Sequence, residues 1–203
     1  TERPATLWGQ AGELQDESWD LALTARGLLD AARLLDERYH AVLTNVPYRK
    51  RADHCEELRE FIDQHYADAR ADLANVFVDR CLELIQQGGR LLAVTPQNWL
   101  FLASYKAQRK RLLQDLSWPF VVKLGPGAFQ EIGGHVVKAA LLCLCKRSAS
   151  REDSIAMLDV ANKKTTDQKA AALLTELFAS PRQSVLLSNS DHRVVANPNE
   201  ASV

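Results

Sequence analysis

Four consecutive residues, Asn45-Val46-Pro47-Tyr48, follow a short apolar run, and their types suit the binding of a planar amine. Asn and Pro are also common in simple turns. Pro47, however, disfavours helical backbone at Val46, so the Val46 carbonyl can project outward instead of starting a helix. The side-chain oxygen of Asn45 is a second acceptor, and the Tyr48 ring offers a flat face. Two acceptors converging beside an aromatic ring could bind both hydrogens of an NH2 group attached to another ring.

Such an arrangement would activate the nitrogen towards an electrophile. A ring amine is a poor nucleophile because its lone pair is delocalised into the ring. Accepting both N–H hydrogens moves the nitrogen towards tetrahedral geometry and localises the lone pair. Each hydrogen bond that strengthens as charge develops could lower the barrier by roughly 2–4 kcal/mol, by analogy with an oxyanion-hole donor. No general base is needed before attack, since the proton becomes acidic only once the nitrogen is positively charged, and in-line positioning would supply much of the remaining acceleration.

The elements that must position these residues alternate between helix and strand. Apolar periodicity and turn residues predict one helix centred on residues 24–37, with Gly27 as a candidate break, after an aperiodic stretch over residues 1–17. Further helices are predicted within 53–66, where Asp53 is a plausible N-cap, and within 71–89, where Gly88-Gly89 would end the helix. The remaining elements are predicted in chain order as strands 40–44 and 90–96, a helix 99–116, strands 120–125 and 135–147, and a helix within 165–180.

Strands separated by helices predict right-handed crossovers and a mostly parallel sheet. The last two strands have no helix between them and should therefore pair antiparallel. The sequence thus predicts an α/β fold of four strands, one of them reversed. In open α/β sheets ligands bind beyond the carboxyl ends of the strands, which is where residues 45–48 and 95–98 fall.

The bulk composition describes an ordinary soluble globular chain. It has 203 residues, 46% of them hydrophobic and 25% charged, and a net charge of −1, so no overall field draws it to nucleic acid or to a membrane. The four cysteines and five histidines show no metal-ligand spacing, so we expect no metal site, core thiols and a reducing, cytoplasmic compartment. The longest apolar run, VVKAALLCLC, contains a lysine and is too short to span a bilayer.

The segment LTNVPY resembles the Asn-Pro-Pro-Tyr motif of adenine-specific (N6) DNA methyltransferases, which transfer a methyl group from S-adenosyl-L-methionine. Residues 71–113, beginning ADLANVFVDR, resemble the helix, Gly-Gly strand and Thr-Pro-x-x-Trp segment that follow in this family. The segment LGPGAFQEIGGHVVKAALLCL resembles its base-pocket loop and strand. Over about residues 36–195 the chain is most similar to the PglX-type methyltransferases of BREX phage-defence systems.

The resemblance implies roles for five residues. Asn45 and the carbonyl of Val46 would hold the target amine of adenine, Pro47 would fix their geometry, and Tyr48 would stack on the extruded base. Phe129, in the glycine-rich loop, would contact the other side of the base. The partner is then double-stranded DNA, and base flipping is required because the exocyclic nitrogen is paired inside the duplex.

Asp72 and Leu73 begin the helix that, in the family, helps line the pocket for the cofactor adenine. The alternative is a purely structural role for both residues. Asp72 would then be only an acid in the first turn of a helix, and Leu73 only a core residue.

Three departures from the family pattern shape the expectation. Valine replaces the first proline of the motif, although its carbonyl is retained. A strand with a Gly-x-Gly turn is expected upstream of the motif and a target-recognition domain downstream, and neither is found in this sequence. We therefore expect the C-terminal half of a Rossmann-like class I S-adenosylmethionine-dependent methyltransferase domain, with little turnover by itself. Its predicted parts are a lead-in, the catalytic-motif part, and a helical linker and tail, over residues 1–38, 39–147 and 148–203.

Two other functions stay open. A glutamine side-chain amide is also planar, so a protein glutamine methyltransferase would use a similar motif. A half-domain that lacks the glycine turn could instead be a non-catalytic interaction module. A basic cluster could contact phosphate, but a solvated helix face is the favoured interpretation of Lys106, Arg109, Lys110 and Arg111.

Overall fold

The computed structural model describes residues 7–128 and 137–196. The chain divides into two compact units, Thr1–Glu37 and Arg38–Val203. The first unit contains helix α1, Leu7–Asp36, which begins well before the predicted start and runs unbroken through Gly27. A single glycine costs about 1 kcal/mol in a helix, and the leucine, alanine and arginine residues around it are strong helix formers.

The second unit is built on one five-stranded sheet. Its strands β1 to β5 are Tyr39–Asn45, Ile85–Pro96, Ser117–Gly125, Ala139–Cys145 and Ala156–Asp159. They are paired in the order β1-β2-β4-β3-β5. Strand β1 is parallel to β2 and β3 is parallel to β5, whereas β4 is antiparallel to both of its neighbours. The prediction of a mostly parallel sheet with one reversed strand is confirmed.

The fifth strand was not predicted, because it is only four residues long and follows a polar stretch. The helices of this unit are α2 to α6, with bounds Glu56–His65, Leu73–Glu83, Lys106–Asp115, Thr166–Thr175 and Gln183–Ser188. Short 3₁₀ turns are formed by Arg51–Asp53, Ala67–Ala69, Gln97–Leu100 and Ala103–Tyr105.

The main core lies on one face of the sheet, where residues from α3, α4 and α6 pack against alternate residues of the strands. A smaller cluster on the other face is formed by α5 with β3 and β5. Among the described residues Cys81, Cys143 and Cys145 are buried as expected, but Cys55 is exposed. Within the same residues, every helix is too short or too polar to cross a bilayer.

Although Gly88-Gly89 is predicted to end helix α3, the pair lies inside β2. The helix already ends at Glu83, and Gly88 has a φ of +80° within the strand. A Cβ on Gly89 would lie 2.5 Å from Ile85 Cγ2 and 2.8 Å from the His40 carbonyl oxygen. Both glycines therefore allow the irregular pairing of β1 with β2 at this end of the strands.

Two other helix boundaries also differ from prediction. Asp53 lies in a 3₁₀ turn, and Cys55 occupies the N-cap position of α2. The helix predicted over 99–116 consists of two 3₁₀ turns followed by the shorter α4.

The basic cluster on α4 is not a solvated face at Arg109, and that interpretation was wrong for this residue. Arg109 is fully buried, and its guanidinium donates to four backbone carbonyls. The acceptors are Trp99 and Leu102, each at 2.6 Å, Asp191 at 2.8 Å and His192 at 3.0 Å. Arg109 therefore fastens residues 191–192 to the segment that follows β2. Burial lowers the pKa of Arg109 to about 10, which leaves it charged at neutral pH.

Replacing Arg109 by lysine should destabilise the fold, because an ammonium group cannot span four carbonyls arranged around a planar guanidinium. We expect the free energy of unfolding to fall by at least about 2 kcal/mol in urea titrations, since buried acceptors would lose their donors. Lys110→Ala, at the exposed neighbouring position, is the matched control and should change stability by less than about 0.5 kcal/mol. Equal stability of Arg109→Lys and wild type would contradict this role.

Candidate active site

Strand β1 carries Asn45 to its carboxyl end, where the side chain is exposed. Asn45 is in register with Val94 of β2, and the next amide, Val46 N–H, donates to the Val94 carbonyl at 3.3 Å. The Val46 side chain is only 3% exposed and belongs to the core. A proline at this position would lack the N–H. The valine that departs from the family motif therefore gives the strand end an additional hydrogen bond.

The exposed face of the sheet beside Asn45 forms a cavity of about 410 Å³. Asn45 contributes an amide to a lining that is mostly apolar and includes Leu43, Leu92, Val94, Phe120 and Leu141. Leu43 is 74% exposed, so this part of the face is largely uncovered by the described residues.

Tyr48 lies just beyond the strand and is half-buried. Its hydroxyl is buried and has no hydrogen-bond partner among the described residues. Burial, and secondarily the nearby charge of Asp72, raise the pKa of Tyr48 to about 12. The phenol is therefore neutral at physiological pH and cannot act as a base there.

Asp72 and Leu73 are brought next to the motif. Asp72 is the N-cap of α3, and its side chain accepts from Ala74 N–H at 2.9 Å. Burial raises the pKa of Asp72, in opposition to its hydrogen bonds. The Leu73 N–H donates to the Arg49 carbonyl at 2.8 Å, and the Leu73 side chain packs beside a small cluster of α2 and α3. Both residues thus have structural tasks, and their contact with a cofactor stays a prediction.

Phe129 lies outside the described residues, but the start of its loop is described. Gly125 has a φ of +67°, and a Cβ there would lie 2.5 Å from the Cα of Ala161. The buried Lys169 of α5 donates to the Leu124 and Val160 carbonyls at 2.7 and 3.0 Å. The point at which the glycine-rich loop leaves β3 is therefore fixed.

The second strand end is also held in place. Trp99 is 1% exposed, and its indole N–H donates to the Thr95 hydroxyl at 3.0 Å. Trp99 thus anchors the segment after β2 to the sheet, and it is too buried to stack on a base. Within residues 7–128 and 137–196, no group of three or more His, Cys, Asp and Glu side chains is placed to hold a metal ion.

Two residues near the motif were missed by sequence reasoning. His54 is 4% exposed, and its Nε2 lies 3.1 Å from the Arg49 carbonyl oxygen. Tyr105 is 9% exposed, and burial together with the charge of Asp72 raises its pKa to about 12. Both lie in or beside 3₁₀ turns, where no apolar period marks a buried position.

Sequence comparison gives a family match to Eco57I restriction-modification methylase over residues 10–129, more than half of the chain. The adenine-specific methyltransferase PglX of Lacticaseibacillus casei (strain Zhang) is 32% identical over 140 residues, which make up 66% of this chain and 11% of that protein. The adenine-specific methyltransferase BrxX of Escherichia coli O9:H4 (strain HS) is 34% identical over 110 residues, or 54% and 9%. The chain thus spans about a tenth of the length of these relatives.

Structural comparison finds a similar fold in the cryo-EM structure of a DrdV–DNA complex, with a TM-score of 0.63. That match is 17% identical in sequence and covers 84% of this chain and 19% of DrdV. The match shows that this chain shares the α/β fold of that part of DrdV, and the sheet is mixed, with the reversed strand between β2 and β3.

Tyr48→Phe should leave the free energy of unfolding at pH 7 unchanged or slightly higher, because it removes a hydroxyl that is buried without a partner among the described residues. Urea denaturation measures this directly. A loss of more than about 1 kcal/mol would show that the hydroxyl makes a stabilising hydrogen bond in solution.

The same variant should alter the alkaline limb of the stability curve. The pKa of Tyr48 is raised from 10.0 to about 12 in the folded protein, so the unfolded chain releases this proton first as the pH rises from 10 to 12. The contribution of the protonated Tyr48 to stability, which is fully present below pH 10, is therefore lost between pH 10 and pH 12. Urea titrations between pH 9 and pH 12 should show a shallower decline for Tyr48→Phe than for wild type, and equal slopes would contradict the raised pKa.

Proposed function

The chain belongs to the Eco57I restriction-modification methylase family, and we propose that it carries the target-base half of an enzyme that methylates the exocyclic amine of adenine in DNA. One observation carries the proposal. Asn45 is exposed at the carboxyl end of β1 while the adjoining Val46 is buried and hydrogen-bonded to β2. The side-chain acceptor of the motif thus faces outward on a rigid strand end, next to the half-buried ring of Tyr48.

In this proposal the residues act on the amine rather than on a proton. The Asn45 Oδ1 and the Val46 carbonyl accept the two N–H hydrogens of the extruded adenine, and Tyr48 stacks on the base. The hydrogen bonds strengthen as the nitrogen becomes positively charged, which lowers the barrier. The neutral Tyr48 phenol takes no part in proton transfer. S-adenosyl-L-methionine, when bound, supplies the methyl group.

The two residues proposed to contact the cofactor, Leu73 and Asp72, are not equally suited to that contact. Leu73 is half-buried, so part of its side chain can contact an adenine ring. Asp72 is buried, and one of its oxygens accepts from the α3 backbone. We propose that Leu73 touches the cofactor and that Asp72 acts by holding the start of the helix that carries it.

The proposed enzyme needs more chain than is present here. Strand β1 lies at one edge of the sheet described. In addition, the two faces of a parallel sheet are normally both covered. We propose that the cofactor-binding half of the methyltransferase covers the apolar face lined by Leu43, Leu92 and Val94. A separate target-recognition domain would then read the DNA sequence, and double-stranded DNA would bind with its target base flipped.

Asn45→Ala should abolish methyl transfer in an assembly of this chain with the upstream half of its parent protein. Removal of one charge-stabilising group of this kind costs about 10²–10³-fold in rate. The measurement is the transfer of radiolabelled methyl from S-adenosyl-L-methionine to adenine in duplex DNA. Asn162→Ala, an exposed asparagine outside the motif, is the matched control and should retain wild-type activity.

The same assay separates the alternatives. Label in protein and not in DNA would replace the proposal by a glutamine methyltransferase. A folded, cofactor-loaded assembly that transfers no methyl group to either would leave a non-catalytic interaction module. Full activity of Asn45→Ala would remove Asn45 from the mechanism.

Leu43→Lys should weaken the association of this chain with the upstream half by about tenfold or more, because it places a charge in an apolar contact. Titration calorimetry gives the dissociation constant. Leu177→Lys is the matched control, since Leu177 is 96% exposed and lies outside the proposed contact face. Equal weakening by both variants would contradict the assignment of the surface.

A further inference from the structure

The chain folds back sharply behind Tyr48. Residues 49–51 run beside the start of α3, where Lys50 and Asp72 form an isolated antiparallel bridge. Arg51 N–H donates to the Ala71 carbonyl at 3.3 Å. The Arg49 carbonyl, one peptide unit beyond Tyr48, accepts from Leu73 N–H at 2.8 Å. This turn sets the direction of the backbone immediately after the Asn45–Tyr48 motif.

A second donor reaches the same carbonyl from a side chain. His54 Nε2 lies 3.1 Å from the Arg49 oxygen, in a position where the imidazole is 4% exposed. A carbonyl oxygen only accepts, so Nε2 must carry the hydrogen. In the neutral ring Nδ1 is then an acceptor, and it is buried without a partner among the described residues.

Packing alone does not account for a histidine at this position. An apolar side chain of similar size would fill the site without leaving a buried acceptor unpaired, which is an unfavourable arrangement. The feature that such a side chain could not supply is the Nε2–H donor to Arg49. The hydrogen bond to Arg49, rather than the volume of the ring, therefore accounts for a histidine at this position.

We infer that His54 is a positioning residue for the reaction. By fixing the Arg49 carbonyl together with Leu73 N–H, it orients the Tyr48 ring and, through it, the Asn45–Tyr48 motif. This inference rests on the proposed function, since it assigns His54 to the site that would bind the amine. His54 does not touch the substrate. Small displacements of groups that position reacting atoms are costly, about 10²-fold in rate for roughly 1 Å.

The two amides that resemble parts of imidazole give a matched pair of variants. In His54→Gln the side-chain NH2 can stand where Nε2–H stands, so the bond to Arg49 is retained. In His54→Asn the shorter side chain reaches only the position of Nδ1, and the bond is lost. In the assembly with the upstream half, we expect His54→Asn to lower kcat about tenfold or more. KM for the methyl donor should stay within about twofold, and His54→Gln should restore most of kcat.

A second measurement uses this chain without any assembly. Amide hydrogen exchange at Leu73 should be faster in His54→Asn than in wild type and should be restored in His54→Gln, because the shared acceptor holds both donors in place. The melting temperatures of the two variants are measured beside it. A merely structural role would change melting temperature and folded fraction while kcat per folded molecule stayed constant.

The outcomes are distinguishable from those of the proposed function. If Asn45→Ala is inactive while His54→Asn has wild-type kcat, the inference about His54 is overturned and the proposed function stands. If the wild-type assembly is inactive, the proposed function fails and the inference, which depends on it, fails with it. Unchanged Leu73 exchange in His54→Asn also overturns the inference, whatever the activity.

Discussion

The pairing of β1 with β2 is the constraint on which the candidate site depends. Side chains alternate between the two faces of a strand, so a slip of one residue in this register would turn Asn45 into the core and Val46 outward. The register is held at the strand end by the Val46 N–H bond to Val94 and by burial of the Val46 side chain. The irregularity at Gly88-Gly89 lies at the opposite end of the same pair of strands. The extra residues of β2 are therefore accommodated at the end of the strand pair that lies far from the Asn45–Tyr48 motif.

Much of the sheet could be predicted because its information is local. Continuous apolar runs mark β2 and β4, and the lack of a helix between β3 and β4 predicts the reversed strand. The short β5 carries too few residues to show a pattern. Arg109 could not be interpreted correctly because two of its acceptors, Asp191 and His192, lie more than 80 positions away in the chain.

For the site, the sequence predicts which residue types stand at the end of β1 but not what holds them. The place of Asn45 follows from a short strand that stops before a proline. The support behind Tyr48 does not follow from the sequence in this way. The Arg49 carbonyl accepts from Leu73 and His54 because the chain reverses direction there, and no apolar periodicity indicates that reversal. Asp72 illustrates the ambiguity of a motif residue, since an N-cap and a ligand contact require the same acid at the start of a helix.

Lys169 is buried in α5 and bonded to carbonyls at the ends of β3 and β5. Its amine is therefore hidden from acylating reagents whenever α5 is seated on the sheet. We therefore expect modification at this position mainly in molecules in which α5 has separated from the sheet. The extent of acylation at Lys169 would thus be an intrinsic reporter of local opening beneath the root of the glycine-rich loop, read by mass spectrometry without any introduced label.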